Sequence, residues 1–163
     1  MERIEKSIDV DRPVRVVYDQ WTQFEEFPRF MEGVDEVKQL DERHLHWVAK
    51  VAGKREEWDA EIVHQVPDQQ IAWRNQGGVF NMGVVTFTPL DGNAPSEAGA
   101  RTRIGLAIEY EPQRFIEKVG DALGFLSRRV EGDLERFKKF IEERGTETGA
   151  WRGEIHPPSQ PGV

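Results

Sequence analysis

The feature that most constrains this chain is a stretch of helical periodicity from Pro112 to Arg144. It holds no proline after Pro112. Its apolar residues Phe115, Val119, Ala122, Leu123, Leu126, Val130, Phe137 and Ile141 recur at helical spacing. That spacing collects them on one stripe of an α-helix, while Arg128, Arg129, Glu131, Asp133, Glu135, Arg136, Lys138 and Lys139 read as its charged remainder. A helix of ~30 residues runs ~45 Å, the breadth of a small domain, and so long a one-sided stripe has to be covered. Gly120, Gly124 and Gly132 interrupt it, each at a cost of ~1 kcal/mol relative to alanine. On a helical wheel Gly120 flanks the stripe, with Ser127 on the same flank. Two readings stay open for it: a slight bend, or space left beneath the helix for a ligand.

Upstream the period switches to two. Ile4, Ile8 and Val10 share one face of a first strand over 3–10, with Lys6 breaking that face. Asp11-Arg12-Pro13 stops the strand and starts a helix with Val14, Val17, Tyr18 and Trp21 on its apolar side. Residues 22–31 read as a second short helix, broken near Pro28 and dense in aromatic residues (Phe24, Phe27, Phe30). Strands are then expected over 34–40, 44–51, 54–66, 70–76, 81–89 and 100–110, separated by turn formers such as Pro67-Asp68 and Gly77-Gly78. The 54–66 strand alternates most cleanly, with Trp58, Ala60 and Ile62 on one face and Glu57, Asp59 and Glu61 on the other. Successive hairpins make an antiparallel sheet whose one covered side meets the helix. The expected fold is therefore α+β: a curved antiparallel sheet of six to seven strands around a long C-terminal helix, with two short helices after the first strand. Residues 1–144 form one domain. Residues 145–163, rich in Gly, Thr and Pro, read as a flexible C-terminal tail. Within it, Trp151 either docks back or stays exposed.

Composition excludes more than it selects. The 163 residues carry a net charge of −8. That disfavours nucleic acid, where lysine and arginine against phosphate supply most of the affinity, and equally an anionic membrane surface. There is no cysteine, hence no disulfide, thiol nucleophile or thiolate metal site. No apolar run approaches ~18 residues and no signal core follows Met1, so the expectation is a cytoplasmic protein without membrane insertion.

The residues Val17-Tyr18-Asp19-Gln20-Trp21, Phe27-Pro28-Arg29-Phe30-Met31, Trp58-Asp59-Ala60-Glu61-Ile62, Ile71-Ala72-Trp73-Arg74, Gly83-Val84-Val85-Thr86-Phe87, Thr102-Arg103-Ile104 and the helix 131–138, taken in this order, resemble the START-like, helix-grip superfamily, also called Bet v 1-like. Within it the chain is most similar to bacterial proteins of the polyketide cyclase/dehydrase or SRPBCC type, over roughly 1–144. The resemblance implies a hydrophobic cavity between helix and sheet that holds a lipid, polyketide or similar apolar molecule, with no cofactor. The function it implies is binding or transport of such a ligand; the alternative is a polyketide cyclase/dehydratase acting in the same cavity. Cyclase-type members of the superfamily place an arginine in the pocket, and the sequence alone assigns that role to none of its arginines.

Catalytic signatures are missing. No serine sits in a Gly-x-Ser-x-Gly turn, and no phosphate loop or dinucleotide fingerprint occurs. His44 and His46 share a strand face without a third ligand nearby, so no metal site is expected. His64 continues the inward parity of Trp58, Ala60 and Ile62. Glu57, Asp59 and Glu61 read as the solvent face of the sheet, paired with arginines such as Arg74, Arg101 and Arg103. The inward polar candidates are Glu56, Asn75, Asn81 and Tyr110, with no activating partner evident. Trp47, Trp58, Trp73 and Phe87 have inward parity on separate strands: a large aromatic core, or a cavity wall whose indole N–H groups orient a ligand oxygen. Small residues Ala60, Gly83 and Gly120 among large ones leave volume unless neighbours fill it. The expected cavity is lined by Trp58, Trp73, Asn75, Phe87, Val119, Leu123, Gly120, Phe27 and Phe30.

Overall fold

The computed structural model describes residues 2–51, 53–77, 80–90, 99–112 and 122–157. Its elements run β1 (Glu2–Val10), α1 (Val14–Trp21), a short 3₁₀ helix (Phe24–Arg29), β2 (Val34–Gln39), β3 (His44–Val51), β4 (Lys54–Val66), β5 (Gln70–Gln76), β6 (Phe80–Pro89), β7 (Thr102–Tyr110) and α2 (Ala122–Arg144). The strands form one seven-stranded antiparallel sheet in the order β1-β7-β6-β5-β4-β3-β2. This is the α+β helix-grip arrangement: α1 and the 3₁₀ helix carry the chain from one sheet edge, β1, to the other, β2, and α2 lies along the concave face.

Alternation governs β4 through its first half. Trp58, Ala60 and Ile62 are buried, while Glu57 and Asp59 are exposed and Glu61 is half-buried. On the convex face Arg74 Nη2 donates to Glu61 at 3.0 Å from the paired position on β5. Arg103 Nε donates to Asp9 at 2.8 Å across β1 and β7. His46 sits between Asp59 (2.7 Å) and Glu57 (3.1 Å). Lys6, which broke the apolar parity of β1, reaches over to α2, where Nζ donates to Glu131 at 2.7 Å.

The alternation then changes hands. A bulge between Ile62 and His64 inserts one residue and reverses the faces beyond it. Gln65, not His64, becomes the inward residue, 1 % exposed, with Nε2 donating to the Tyr18 hydroxyl at 3.0 Å. His64 is half-buried beside Gln70, at 2.6 Å.

The core centres on Trp21. Its indole meets Phe137 edge-on at 4.8 Å between centroids, Phe27 at 5.7 Å and Phe87 at 6.2 Å. From α2, Leu126, Val130, Leu134, Phe137 and Ile141 are all buried. Val119 and Gly120, expected to line the cavity, lie outside the described residues.

Residues 145–157, expected to be a flexible tail, pack against the domain instead. Gly145, at φ +84°, ends α2, a conformation that suits glycine at a helix C-terminus. Beyond it the Thr148 N–H donates to Gln20 Oε1 at 2.8 Å, and the Trp151 N–H to Thr22 Oγ1 at 3.2 Å. Arg152 forks between Asp19 and Asp68. Ile155, 2 % exposed, exchanges both backbone hydrogen bonds with Gln65 at 2.7 and 2.9 Å. The cause lies in the sheet. The pairing of β3 with β4 extends only to Glu61, so the end of β4 has an open edge, and this strap covers it. Trp151 packs against the core.

Candidate ligand-binding cavity

Between α2 and the concave face lies a cavity of about 120 Å³. Its wall is almost wholly apolar. The 3₁₀ helix contributes Phe24 and Phe27, the sheet Trp47, Trp58, Ile62, Trp73 and Phe80, and α2 Leu126, Val130 and Leu134. The cross-strand pair Trp47 and Trp58 stacks with centroids 5.8 Å apart and 8° between planes. Phe27 closes on Trp47 at 5.6 Å and Phe80 on Trp58 at 5.8 Å. The rings brace one another and present a rigid wall.

Two polar atoms in this wall are buried without a hydrogen-bond partner among the described residues: Trp47 Nε1 and Asn75 Oδ1. They come from β3 and β5, on either side of β4. Trp47 is opposite Trp58, and Asn75 is opposite Ala60. Buried polar groups in folded proteins are nearly always paired, and one left bare costs ~1–3 kcal/mol. Trp47 and Asn75 both line the cavity, so a ligand that brings an oxygen is the kind of molecule that can pair this donor and this acceptor.

Two charges also line the cavity, Arg129 and Asp133 of α2. Arg129 Nη1 donates to the Lys50 carbonyl at 2.8 Å. Its guanidinium lies against Gly33, where a Cβ would come within 2.6 Å of Nη2. Gly33 stands at φ +84°, so glycine supplies both the backbone turn and the room. Asp133 Oδ1 accepts from the Glu32 N–H at 3.1 Å and from Arg136 Nη2 at 2.6 Å. Burial pulls Arg129 below the usual arginine range. Burial pushes Asp133 above the usual carboxylate range, against the hydrogen bond from Arg136. The pair belongs first to the joint between α2 and the segment leading into β2.

Of the residues expected in the cavity, Phe27, Trp58, Trp73 and Asn75 line it. Phe30 and Phe87 do not. Each is enclosed in the aromatic core, Phe30 against Phe137 at 5.1 Å and Phe87 against Tyr18 at 5.3 Å. Leu123 is 57 % exposed. One turn later Leu126 is buried with Ile4, near the start of β1, and Tyr110, at the end of β7. The volume expected beside Gly83 is taken by the Trp73 indole. Asn81 turns to Glu111, with Nδ2 donating at 3.3 Å. Arg129 and Asp133 were missed because charge placed them on the solvated side. Spacing held the signal for Asp133, seven residues after Leu126 and four before Phe137, squarely on the buried stripe.

No helix among the described residues is long and apolar enough to cross a membrane. The chain is similar to an uncharacterized 17.2 kDa protein of Streptomyces lincolnensis, 49% identical over 156 residues, covering 95% of this chain and 99% of that protein. Among solved structures it resembles the Zhui aromatase/cyclase of Streptomyces sp. R1128 at a TM-score of 0.69 and 14% identity, covering 92% of this chain and 99% of that one. It also resembles a START superfamily protein of Mycobacterium smegmatis at a TM-score of 0.55 and 16% identity, covering 82% and 97%. At such identities these two likenesses speak for the fold. The family model for polyketide cyclase/dehydrase and lipid transport matches residues 10–139, most of the sheet and most of α2, and the chain belongs to that family.

Proposed function

We propose that this protein binds a small, mainly apolar molecule bearing an oxygen function, as a carrier or sensor rather than a catalyst. The observation that carries this reading is the pair of bare polar atoms, Trp47 Nε1 and Asn75 Oδ1, in an otherwise apolar, aromatic wall. A ligand hydroxyl or carbonyl accepts from the indole N–H, and a hydroxyl proton goes to the asparagine oxygen. The apolar body of the ligand supplies the affinity and the polar contacts its orientation. A dry cavity of ~150 Å³ holds benzene, so a one-ring molecule is the natural first probe for this one. Phenol and toluene have nearly the same shape and differ in the hydroxyl. Titrated into the protein and followed by chemical shift, phenol is expected to bind about tenfold more tightly than toluene. Equal affinity would mean that the two polar atoms meet nothing on the ligand, and no binding of either would remove the reading.

A second reading, a polyketide cyclase/dehydratase working in the same cavity, draws on Arg129 and Asp133 in the wall and on the family. The geometry favours the first. Arg129 is engaged by the Lys50 carbonyl, and Asp133 is engaged by Glu32 and Arg136. Neither stands ready to move a proton at a bound substrate. Conversion of a poly-β-keto thioester to a cyclised product, lost in Asp133→Asn but not in Asn75→Leu, would reverse the order.

A further inference from the structure

We propose that Trp73 and Gly83 act together as the size gauge of this cavity: glycine at 83 lets the indole lie down on β6, and the depth left above the ring limits the molecule admitted. The inference rests on the binding function proposed above and assigns its specificity to two residues.

Glycine at 83 has no conformational excuse. It lies inside β6, and it is absent from the glycines that adopt positive φ, which are Gly33, Gly53, Gly77, Gly99 and Gly145 among the described residues. In a strand interior glycine weakens the structure, and it often marks a close approach. The approach here is from Trp73, its register partner on β5. A Cβ built at position 83 would fall 2.3 Å from Trp73 Cζ2, 2.7 Å from Cε2 and 3.0 Å from Cη2. Carbon atoms in ordinary contact sit ~3.5–4.0 Å apart. Any side chain at 83 therefore has to lift the six-membered ring by more than an ångström, on the order of the gap between those distances. Backbone lies beneath the ring. Ile62, the partner of Trp73 on β4, is buried at its side. The free direction is upward into the cavity, whose wall Trp73 already forms. The other inward residues of β6 are bulky: Val85 and Phe87, both buried, and Phe80 in the cavity wall. The smallest residue of the row thus faces the largest side chain of the next strand. The indole fills the place a side chain at 83 would take, so the cavity keeps the depth above the ring.

The test uses the full chain with phenol and naphthol as probes. Gly83→Ala is expected to weaken phenol binding about tenfold or more. Trp73→Phe, with a smaller ring, is expected to improve naphthol relative to phenol by a similar factor. Gly83→Ala with Trp73→Phe is expected to return phenol affinity to within about twofold of the parent. Gly83→Ala binding phenol like the parent would overturn the proposal, and so would a double variant as weak as Gly83→Ala alone. If Gly83→Ala does not fold, the naphthol-to-phenol preference of Trp73→Phe decides: a preference unchanged from the parent overturns the gauge. If the parent binds neither probe, the binding function falls. A crystal structure of Gly83→Ala then judges the gauge separately: an indole raised into the cavity supports it, and an indole displaced elsewhere refutes it.

Discussion

Arg152→Ala removes the clamp by which the strap holds α1. The Asp19 carboxylate is buried, its residue 2 % exposed. It has two cations in reach: Arg152 in hydrogen-bond contact, and Arg15 at 3.7 Å. The same guanidinium holds Asp68 at 2.7 Å and lies 5.5 Å from the centre of the Tyr18 ring. Removing one member of a buried pair costs ~3–5 kcal/mol. Arg152 is itself about a third exposed and Arg15 remains, so the low end, ~3 kcal/mol, applies. At ~3 °C per kcal/mol for a domain of this length, Tm should fall by roughly 9 °C at neutral pH. The loss has a pH signature. Burial raises the Asp19 carboxyl above its ordinary value, with the hydrogen bond and charge of Arg152 pulling it back down. In the unfolded chain an aspartate titrates near ~3.9. Between that value and the raised folded one, the folded state binds more protons, so this group's contribution to stability grows as pH falls through the window and is lost as pH rises through it. Without Arg152 the window extends upward, and the deficit of the variant should shrink on acidification. Thermal melts of parent and variant across pH 4–8 measure this. A variant melting within about 2 °C of the parent, or a deficit independent of pH, would refute the claim that Arg152 neutralises a buried charge.

Asn75→Leu removes a bare buried oxygen at nearly constant shape, so it should raise stability by ~1 kcal/mol while reducing the advantage of phenol over toluene; urea unfolding and the two titrations read the two effects. Ile155→Ala empties a buried site in the strap and should cost ~2 kcal/mol by urea unfolding, the low end for such a truncation because a strap held by few contacts can close over the gap; a free tail would register nothing. His46 is held above the ordinary histidine value by its hydrogen bonds first to Asp59 and then to Glu57. Its small stabilisation should be complete below about pH 6.5 and fade as pH rises through the raised folded value. An NMR titration of the His46 ring gives that value directly, and His46→Ala should abolish the slope.

The strands were legible because alternation is nearly strict from β1 to β7, and α2 because its stripe is long. The places where reading failed share a physical cause: each is set by contacts that no local period records. The bulge after Ile62 moved Gln65 inward in place of His64, since one inserted residue changes every face beyond it. The strap read as tail because its composition is that of a loop. What holds it is one arginine, one isoleucine and an open sheet edge far away in sequence. In the cavity, parity picked out Trp47, Trp58, Trp73 and Asn75. It could not separate them from Phe87, which shares the inward face but meets Tyr18 and Trp21 from α1. Arg129 was hidden by its charge, and the room that Gly33 makes for its guanidinium is a contact between distant parts of the sequence that no local period records.

The central claim is that the cavity holds an apolar molecule through an oxygen that meets Trp47 and Asn75. Native mass spectrometry of the protein purified from its own cells tests it most directly. The expected spectrum carries a non-covalent adduct that acid releases, that added phenol displaces, and whose exact mass includes at least one oxygen. Bare chain alone, with added phenol leaving the Trp47 indole N–H signal unmoved, would contradict it.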